Sequence, residues 1–289
     1  MTPEFTHIPE LNSLARVVSP LIANRGDDHR YAGTAVIISP RFALTAMHVV
    51  DEFRAVLDGR HASGTGVSFN LTLFSRFHED QTGILWNVKS IVSKSPSDIA
   101  LLVIEPGSPV PPGKRIGLAE IELFPPAVGE RIVAFGHPVQ DVHVEDDAVT
   151  VVEETYSSLG QVTEVFPLKR DSAVMPVPCY ATTARFDGGM SGGPLFNDDG
   201  RLCGLVSSSM SHDETGEHTS YASTLWPILA FSVEVNDPAG TRSVTLLDLF
   251  RDGQLSGVGW ESVGFDGKNL AIPKGLLEGR PTSARRLGP

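Results

Sequence analysis

The chain has 289 residues, enough for one large domain or for two half-domains around a shared cleft, and its 41% hydrophobic and 20% charged residues exclude a disordered or membrane-embedded body. A formal net charge of −12 argues against a phosphate-backbone partner, because neutralising phosphates takes a clustered excess of Lys and Arg. Neither nucleic acid nor a membrane is expected as a partner, since no segment approaches the length of a membrane span.

Residues 1–30 form an N-terminal segment that carries Glu4, His7, Glu10 and Arg16 where a secretory signal would place an unbroken apolar stretch, so a cytoplasmic location is expected. From residue 31 the pattern is that of short strands. YAGTAVII at 31–38 and FALT at 42–45 read as a strand pair turning at Ser39-Pro40-Arg41, and further strands are expected at 67–74, 84–92 and 98–104. These belong to one barrel, residues 31–120. The Pro- and Gly-rich stretch 106–130 is the natural crossing to a second unit, residues 121–235. That unit opens with RIVAFGHP at 131–138 and continues through strands at 149–154, 160–166, 179–184, 201–208 and 218–224. Between 138 and 168 seven carboxylates occur without a Lys or Arg, which reads as a solvated acidic loop or hairpin, or as a device that steers basic substrate segments toward a cleft. Cys179 and Cys203 are too few for a multi-bridge framework and are expected to be buried thiols. The remainder, 236–289, is a C-terminal extension whose Leu246, Leu247, Leu249 and Phe250 should pack on the second unit, with a loose end at 279–289.

Three segments carry chemistry. GGMSGGPLF at 188–196 sets a serine among glycines, and acyl transfer needs a nucleophile beside backbone N–H donors aimed at the developing oxyanion, which glycine-bearing turns supply. Gly189 and Ser191 would provide the two N–H groups. A serine is a weak nucleophile at its own pKa and requires a base. His48, in LTAMHVV at 44–50, is the best-placed imidazole, although a histidine at a strand end is often a satisfied core residue. Asp98, in SDIALLVI at 97–104, heads a wholly apolar strand; it would cap that strand, or fix the tautomer of His48 and stabilise the imidazolium.

Taken together, these residues resemble the chymotrypsin-like serine proteases, and more closely the bacterial HtrA and glutamyl-endopeptidase branch. TAMH is similar to the family's TAxH motif, SDIALL to its DIAL motif and GMSGGP to its GxSGGP motif, in the order His48, Asp98, Ser191. AFGHP at 134–138 resembles a strand followed by a Gly-x-Pro turn, and GLVSSS at 204–209 resembles the strand that pairs with bound substrate. The resemblance implies an all-β fold of two six-stranded antiparallel β-barrels packed around an active-site cleft, with a short C-terminal helix, and a serine endopeptidase that needs no metal or organic cofactor. It implies a substrate-binding wall of Arg185, Phe186, Val206, Ser207, Ser208 and Ser209, with Ser207 either bonded to Asp98 or against the substrate backbone. Met190 stands where the digestive enzymes keep the aspartate that receives a freed N-terminus, so that activation route is absent. Arg185 occupies a position that is acidic in trypsin-like enzymes, and Phe186 and Val206 are apolar, so a small or medium apolar P1 side chain is expected; were Arg185 to enter the pocket, an acidic P1 would gain a partner.

The partner expected is a protein or peptide substrate. Two alternatives stay open: a partner-activated protease or a pseudoprotease acting as a binding module, and an α/β-hydrolase esterase, since Gly189-Met190-Ser191-Gly192-Gly193 also satisfies G-x-S-x-G. The esterase would need its base after the serine, at His212 or His218, and a helix behind the nucleophile.

Overall fold

A computed structural model describes residues 4–8, 15–25, 28–53, 70–77, 82–145, 148–211, 218–237, 240–265 and 269–279. The architecture is two closed six-stranded antiparallel barrels with few helices. After β1 (Glu4–His7) come β2 (Val18–Arg25), β3 (Asp28–Ser39), β4 (Phe42–Thr45), α1 (residues 47–53), β5 (Asn70–Phe77), β6 (Thr82–Val92) and β7 (Ala100–Pro106). Strands β2 to β7 close in the order β2-β3-β4-β7-β6-β5. Ala35 and Ile37 point into this barrel beside Leu73, Ile84 and Trp86, while Val36 and Ile38 join a second apolar cluster outside it. Burial on both faces explains why these strands read as continuous apolar runs instead of alternating ones. The indole N–H of buried Trp86 is satisfied: Nε1 donates to Ser75 Oγ at 3.0 Å.

The first barrel starts at Val18, inside the segment 1–30 that was expected to lie apart from it. Pro20 and the polar Asn24-Arg25-Gly26 run disguise β2 in the sequence, yet Leu21 is fully buried and the strand pairs with both β3 and β5. The chain leaves this barrel after Ala119, whose N–H donates to the Ile37 carbonyl, and joins the next at Glu120, whose carbonyl accepts from Leu202 N–H.

The second sheet holds β8 (Ile121–Glu122), β9 (Arg131–Glu145), β10 (Ala148–Phe166), β11 (Cys179–Thr182), β12 (Pro194–Asn197), β13 (Leu202–Ser211) and β14 (His218–Ser223). Its barrel closes in the order β12-β9-β10-β11-β14-β13 through the β12–β13 pairing. The acidic stretch is a long hairpin of β9 and β10. Gly136-His137-Pro138 is not a turn but part of β9: Pro138 faces a break in the ladder opposite Thr155, where its missing N–H costs no hydrogen bond. β1 adds a short strand to the edge of β10. Cys179 and Cys203 are both free and buried, and burial pushes the Cys179 thiol up to about 12, so it stays protonated and inert.

The boundary expected at 235 falls within a strand: β15 (Ser232–Asp237) and β16 (Gly240–Thr245) form a hairpin. It leads into α2 (Leu246–Arg251), whose start is fixed by a capping box between Thr245 and Asp248. Leu246, Leu247, Leu249 and Phe250 are all buried in a cluster that also contains Leu44 and Leu101 of the first barrel and Phe135 and Phe196 of the second. Each such side chain contributes about 1.5–3 kcal/mol on burial, so the extension fastens both barrels. Residues 280–289 lie outside the described part. No helix among the described residues is long and apolar enough to cross a membrane.

Candidate active site

β4 and β7 are antiparallel neighbours with Thr45 opposite Ala100, so the residues that follow β4 and those that precede β7 emerge at the same end of the first barrel. His48 lies in the first turn of α1, where buried Ala46, Val49 and Val50 anchor the backbone and leave the imidazole 42% exposed at the cleft. Asp98 occupies the turn before β7, where a short carboxylate can accept main-chain N–H bonds. Its Oδ1 accepts from the His48 backbone N–H at 2.9 Å, and its Oδ2 from His48 Nδ1 at 2.8 Å. Ser207 Oγ, from the second barrel, donates to the same Oδ2 at 2.5 Å. That serine sits at a register shift of β13 between Val206 and Ser208, and the bulge aims its hydroxyl across the seam. Burial would lower the pKa of His48, but the Asp98 hydrogen bond and the charges of Asp98, Glu52 and Asp51 outweigh it, so the pKa stands above 6.5.

Ser191 lies in the loop before β12, which is tied on both sides. Gly192 N–H donates to the Val206 carbonyl at 2.8 Å, and the Ser191 carbonyl accepts from Thr34 N–H of β3 at 2.9 Å. Gly192 has φ +81°, and a Cβ there would collide with Thr45, the Thr34 carbonyl and the Ala46 N–H; only glycine lets the Ser191 loop rest on the strand end that leads to His48. Upstream, Met190 N–H donates to the Asp187 carbonyl at 3.1 Å and Gly189 has φ +90°, the geometry of a type II turn. Among the described residues no acceptor takes the Gly189 or Ser191 N–H. The Gly189 carbonyl is clasped by two hydroxyls of the first barrel, Tyr31 Oη at 2.5 Å and Thr34 Oγ1 at 2.9 Å, while Thr34 Oγ1 accepts from His137 N–H at 3.2 Å.

The remaining expected residues divide. Ser208 is half-buried and Ser209 exposed on β13, next to the bulge. Phe186 and Val206 are packed inside the second barrel with Met190 and Ala222. Arg185 does not enter a pocket: it makes a two-pronged pair with Asp187, Nε to Oδ1 and Nη2 to Oδ2 both at 2.7 Å, and its guanidinium lies 4.7 Å over the Phe5 ring. With that charge matched, the acidic-P1 reading loses its motivation.

Several contributors have no signature in the motifs. A cavity of about 410 Å³ beside His48 and Asp98 is walled by Met47, Val174, Met175 and Val177. The wall is shaped by Asp171, whose Oδ1 accepts from the N–H groups of Ala173, Val174 and Met175 at 2.7, 2.6 and 3.3 Å. A Asp-Ser pair in a loop signals such an Asx turn, but not what the turn faces. Tyr31 and Thr34 are ordinary strand residues in the sequence, and only the approach of the second barrel gives them a role.

An antiparallel double barrel with an imidazole, a carboxylate and a serine loop gathered at its seam defines the class of trypsin-like serine endopeptidases. Over residues 33–205, more than half of its length, the chain matches the trypsin-like peptidase domain, and it belongs to that family. Among curated proteins none matches. Among solved structures it is similar to neuropsin, a serine protease expressed in the limbic system of mouse brain, with 14% identity, 76% of this chain and 94% of that chain covered, and a TM-score of 0.50. It is also similar to Deg5 (17% identity, 71% and 82% covered, TM-score 0.45) and to the active form of the Rv3671c protease of M. tuberculosis (20% identity, 72% and 76% covered, TM-score 0.44). An α/β hydrolase, built on a parallel sheet, is incompatible with this fold.

Proposed function

We propose that the chain cleaves peptide bonds through His48, Asp98 and Ser191. The observation that carries this reading is the Asp98 carboxylate, which holds His48 by both its backbone N–H and its Nδ1 and is itself held by Ser207 from the opposite barrel. Nδ1 is thereby kept protonated and Nε2 left to act as base. His48 takes the Ser191 proton as Oγ attacks the substrate carbonyl; the Gly189 and Ser191 N–H groups receive the oxyanion; His48 then passes the proton to the leaving amine, and water repeats the sequence on the acyl-enzyme. No metal or organic cofactor takes part in these steps.

The substrate is a protein or peptide cut at a chosen site after a small or medium apolar P1 residue. The apolar Phe186 and Val206 behind the serine loop and the engagement of Arg185 with Asp187 support that preference. The apolar cavity beside His48 suits a further apolar side chain on the same side of the scissile bond. Two uncrosslinked buried thiols suit the reducing cytoplasm. Among the described residues the Gly189 N–H of the turn is uncommitted, which favours constitutive activity over a partner-activated or inert form. Purified chain should label at once with a fluorophosphonate probe and cleave a peptide library after apolar residues, and Ser191→Ala should abolish both without altering the circular dichroism spectrum. Activity that survives this substitution refutes the assignment, and labelling that requires an added partner favours the partner-activated form.

A further inference from the structure

β1 lies outside both barrels, yet its contacts run to the serine loop. Its residues Glu4–His7 pair with Tyr156–Leu159 of β10, and Ile8 N–H extends the ladder to the Thr155 carbonyl at 2.8 Å. Phe5 stands opposite Ser158, and the Ser158 hydroxyl accepts from the Arg185 backbone N–H at 2.7 Å. The Phe5 ring stacks on Tyr156 with centroids 5.0 Å apart, supports the Arg185 guanidinium at 4.7 Å and packs against the apolar cluster that contains Phe186 and Met190. Arg185 fixes the Asp187 carboxylate, and the Asp187 carbonyl closes the turn that presents Gly189 N–H.

The turn is therefore gripped from two sides. Tyr31 and Thr34 hold its Gly189 carbonyl from the first barrel, while its Asp187 end rests on Arg185 and, beneath that, on Phe5. The first grip is part of a closed barrel. The second depends on a four-residue strand at a sheet edge, with Arg185 and Asp187 half in water, where an ion pair alone contributes little. From this arrangement we propose that β1 is a built-in positioning strand for the oxyanion turn, with Phe5 as its key positioning residue, acting through Arg185 and Asp187. The proposal rests on the peptidase reading above. It gives the N-terminal segment a role without cleavage of the chain and gives Arg185 a structural role in place of a pocket role.

The test compares the full-length chain, Phe5→Ala, Phe5→Tyr and a chain lacking residues 1–8, each monitored by circular dichroism melting, by kcat and KM on an apolar-P1 peptide, and by the rate of fluorophosphonate labelling at Ser191. Phe5→Ala should lower kcat about tenfold with KM within about twofold, because donors that act on the oxyanion affect the transition state and not ground-state binding. Phe5→Tyr, which keeps a ring beneath the guanidinium, should stay within about twofold of the native kcat. The truncated chain should show the same loss, and a synthetic peptide of residues 2–9 added in trans should restore labelling. A truncated chain with native kcat overturns the proposal. If the truncated chain does not fold, Phe5→Ala decides: native kcat, or a loss that Phe5→Tyr shares, overturns it. A full-length chain that neither cleaves nor labels refutes the peptidase reading itself and this proposal with it.

Discussion

Asp98→Asn probes the centre of the site with almost no change in volume. The carboxylate accepts three hydrogen bonds: His48 N–H on Oδ1, and both His48 Nδ1 and Ser207 Oγ on Oδ2. An amide keeps one acceptor and turns the other into a donor. If its NH₂ faces the His48 backbone N–H, two donors oppose each other; if it faces Nδ1, the imidazole must carry its proton on Nε2 and cannot take one from Ser191. The first placement keeps the tautomer but sets donor against donor, so the amide should take the second, which disables the base while leaving the fold intact, and for triads of this geometry the loss in kcat is about 10,000-fold, or about 5.4 kcal/mol. The pH profile adds a second signature. His48 has a pKa raised above 6.5 because Asp98, with Glu52 and Asp51, outweighs burial, so in the native chain activity should rise with pH as the imidazolium deprotonates. Removing the Asp98 charge and its hydrogen bond leaves burial opposed only by Glu52 and Asp51, and the acid limb of the residual activity should move to lower pH. Steady-state kinetics on a chromogenic peptide from pH 5 to 9, with a melting curve for each chain, measures both effects. Turnover within tenfold of the native value, or an acid limb that moves upward, would contradict the assigned roles.

Tyr31→Phe and Thr34→Val each delete one hydroxyl from the Gly189 carbonyl, and each should lower kcat about fivefold at unchanged KM, as expected for one neutral hydrogen bond of about 1 kcal/mol; Thr34→Ser, which keeps the hydroxyl, should be close to native. Asp171→Ala should raise KM for peptides that fill the cavity beside His48 while kcat holds, because the three N–H groups that fold Ala173–Met175 lose their acceptor. Those same bonds hold the Asp171 pKa below its usual 3.8, so its ordering of the loop is complete at neutral pH and is lost as pH falls through the depressed value; a KM that follows an acidic titration in the native chain but not in Asp171→Ala checks this.

Residues that act through local chemistry were legible in the sequence. Glycines at 189 and 192 announce backbone conformations closed to other residues, and an aspartate before an apolar strand announces a carboxylate held at a barrel end. β4 was readable to the residue, since FALT is buried on both faces and bounded by a turn. β2 was not, because Pro20 mimics a breaker and the strand's evidence, pairing with β3 and β5, lies in distant segments. The direction of the Arg185 side chain was not legible for a similar reason. Its position in the motif could be counted, but its direction is set by Asp187 and by a phenylalanine 180 residues earlier in the chain.

The division of the proposed site between two barrels gives the packing of the C-terminal extension against both a bearing on its geometry. His48 and Asp98 belong to one barrel, Ser191 and Ser207 to the other, and a displacement of about 1 Å between nucleophile and base costs about 100-fold in rate. Hydrogen bonds cross the seam from Tyr31 and Thr34 to the serine loop and from Ser207 to Asp98, and apolar packing behind it adds to them. The apolar cluster behind the seam contains Leu44 and Leu101, on the strands that lead to His48 and Asp98, Leu205, two residues before Ser207, and Leu246, Leu249 and Phe250 of α2. If His48 and Ser191 act as proposed, a cavity opened in this cluster by Phe250→Ala should lower kcat by more than the drop in melting temperature accounts for, as kinetics and a melting curve on the same sample would measure.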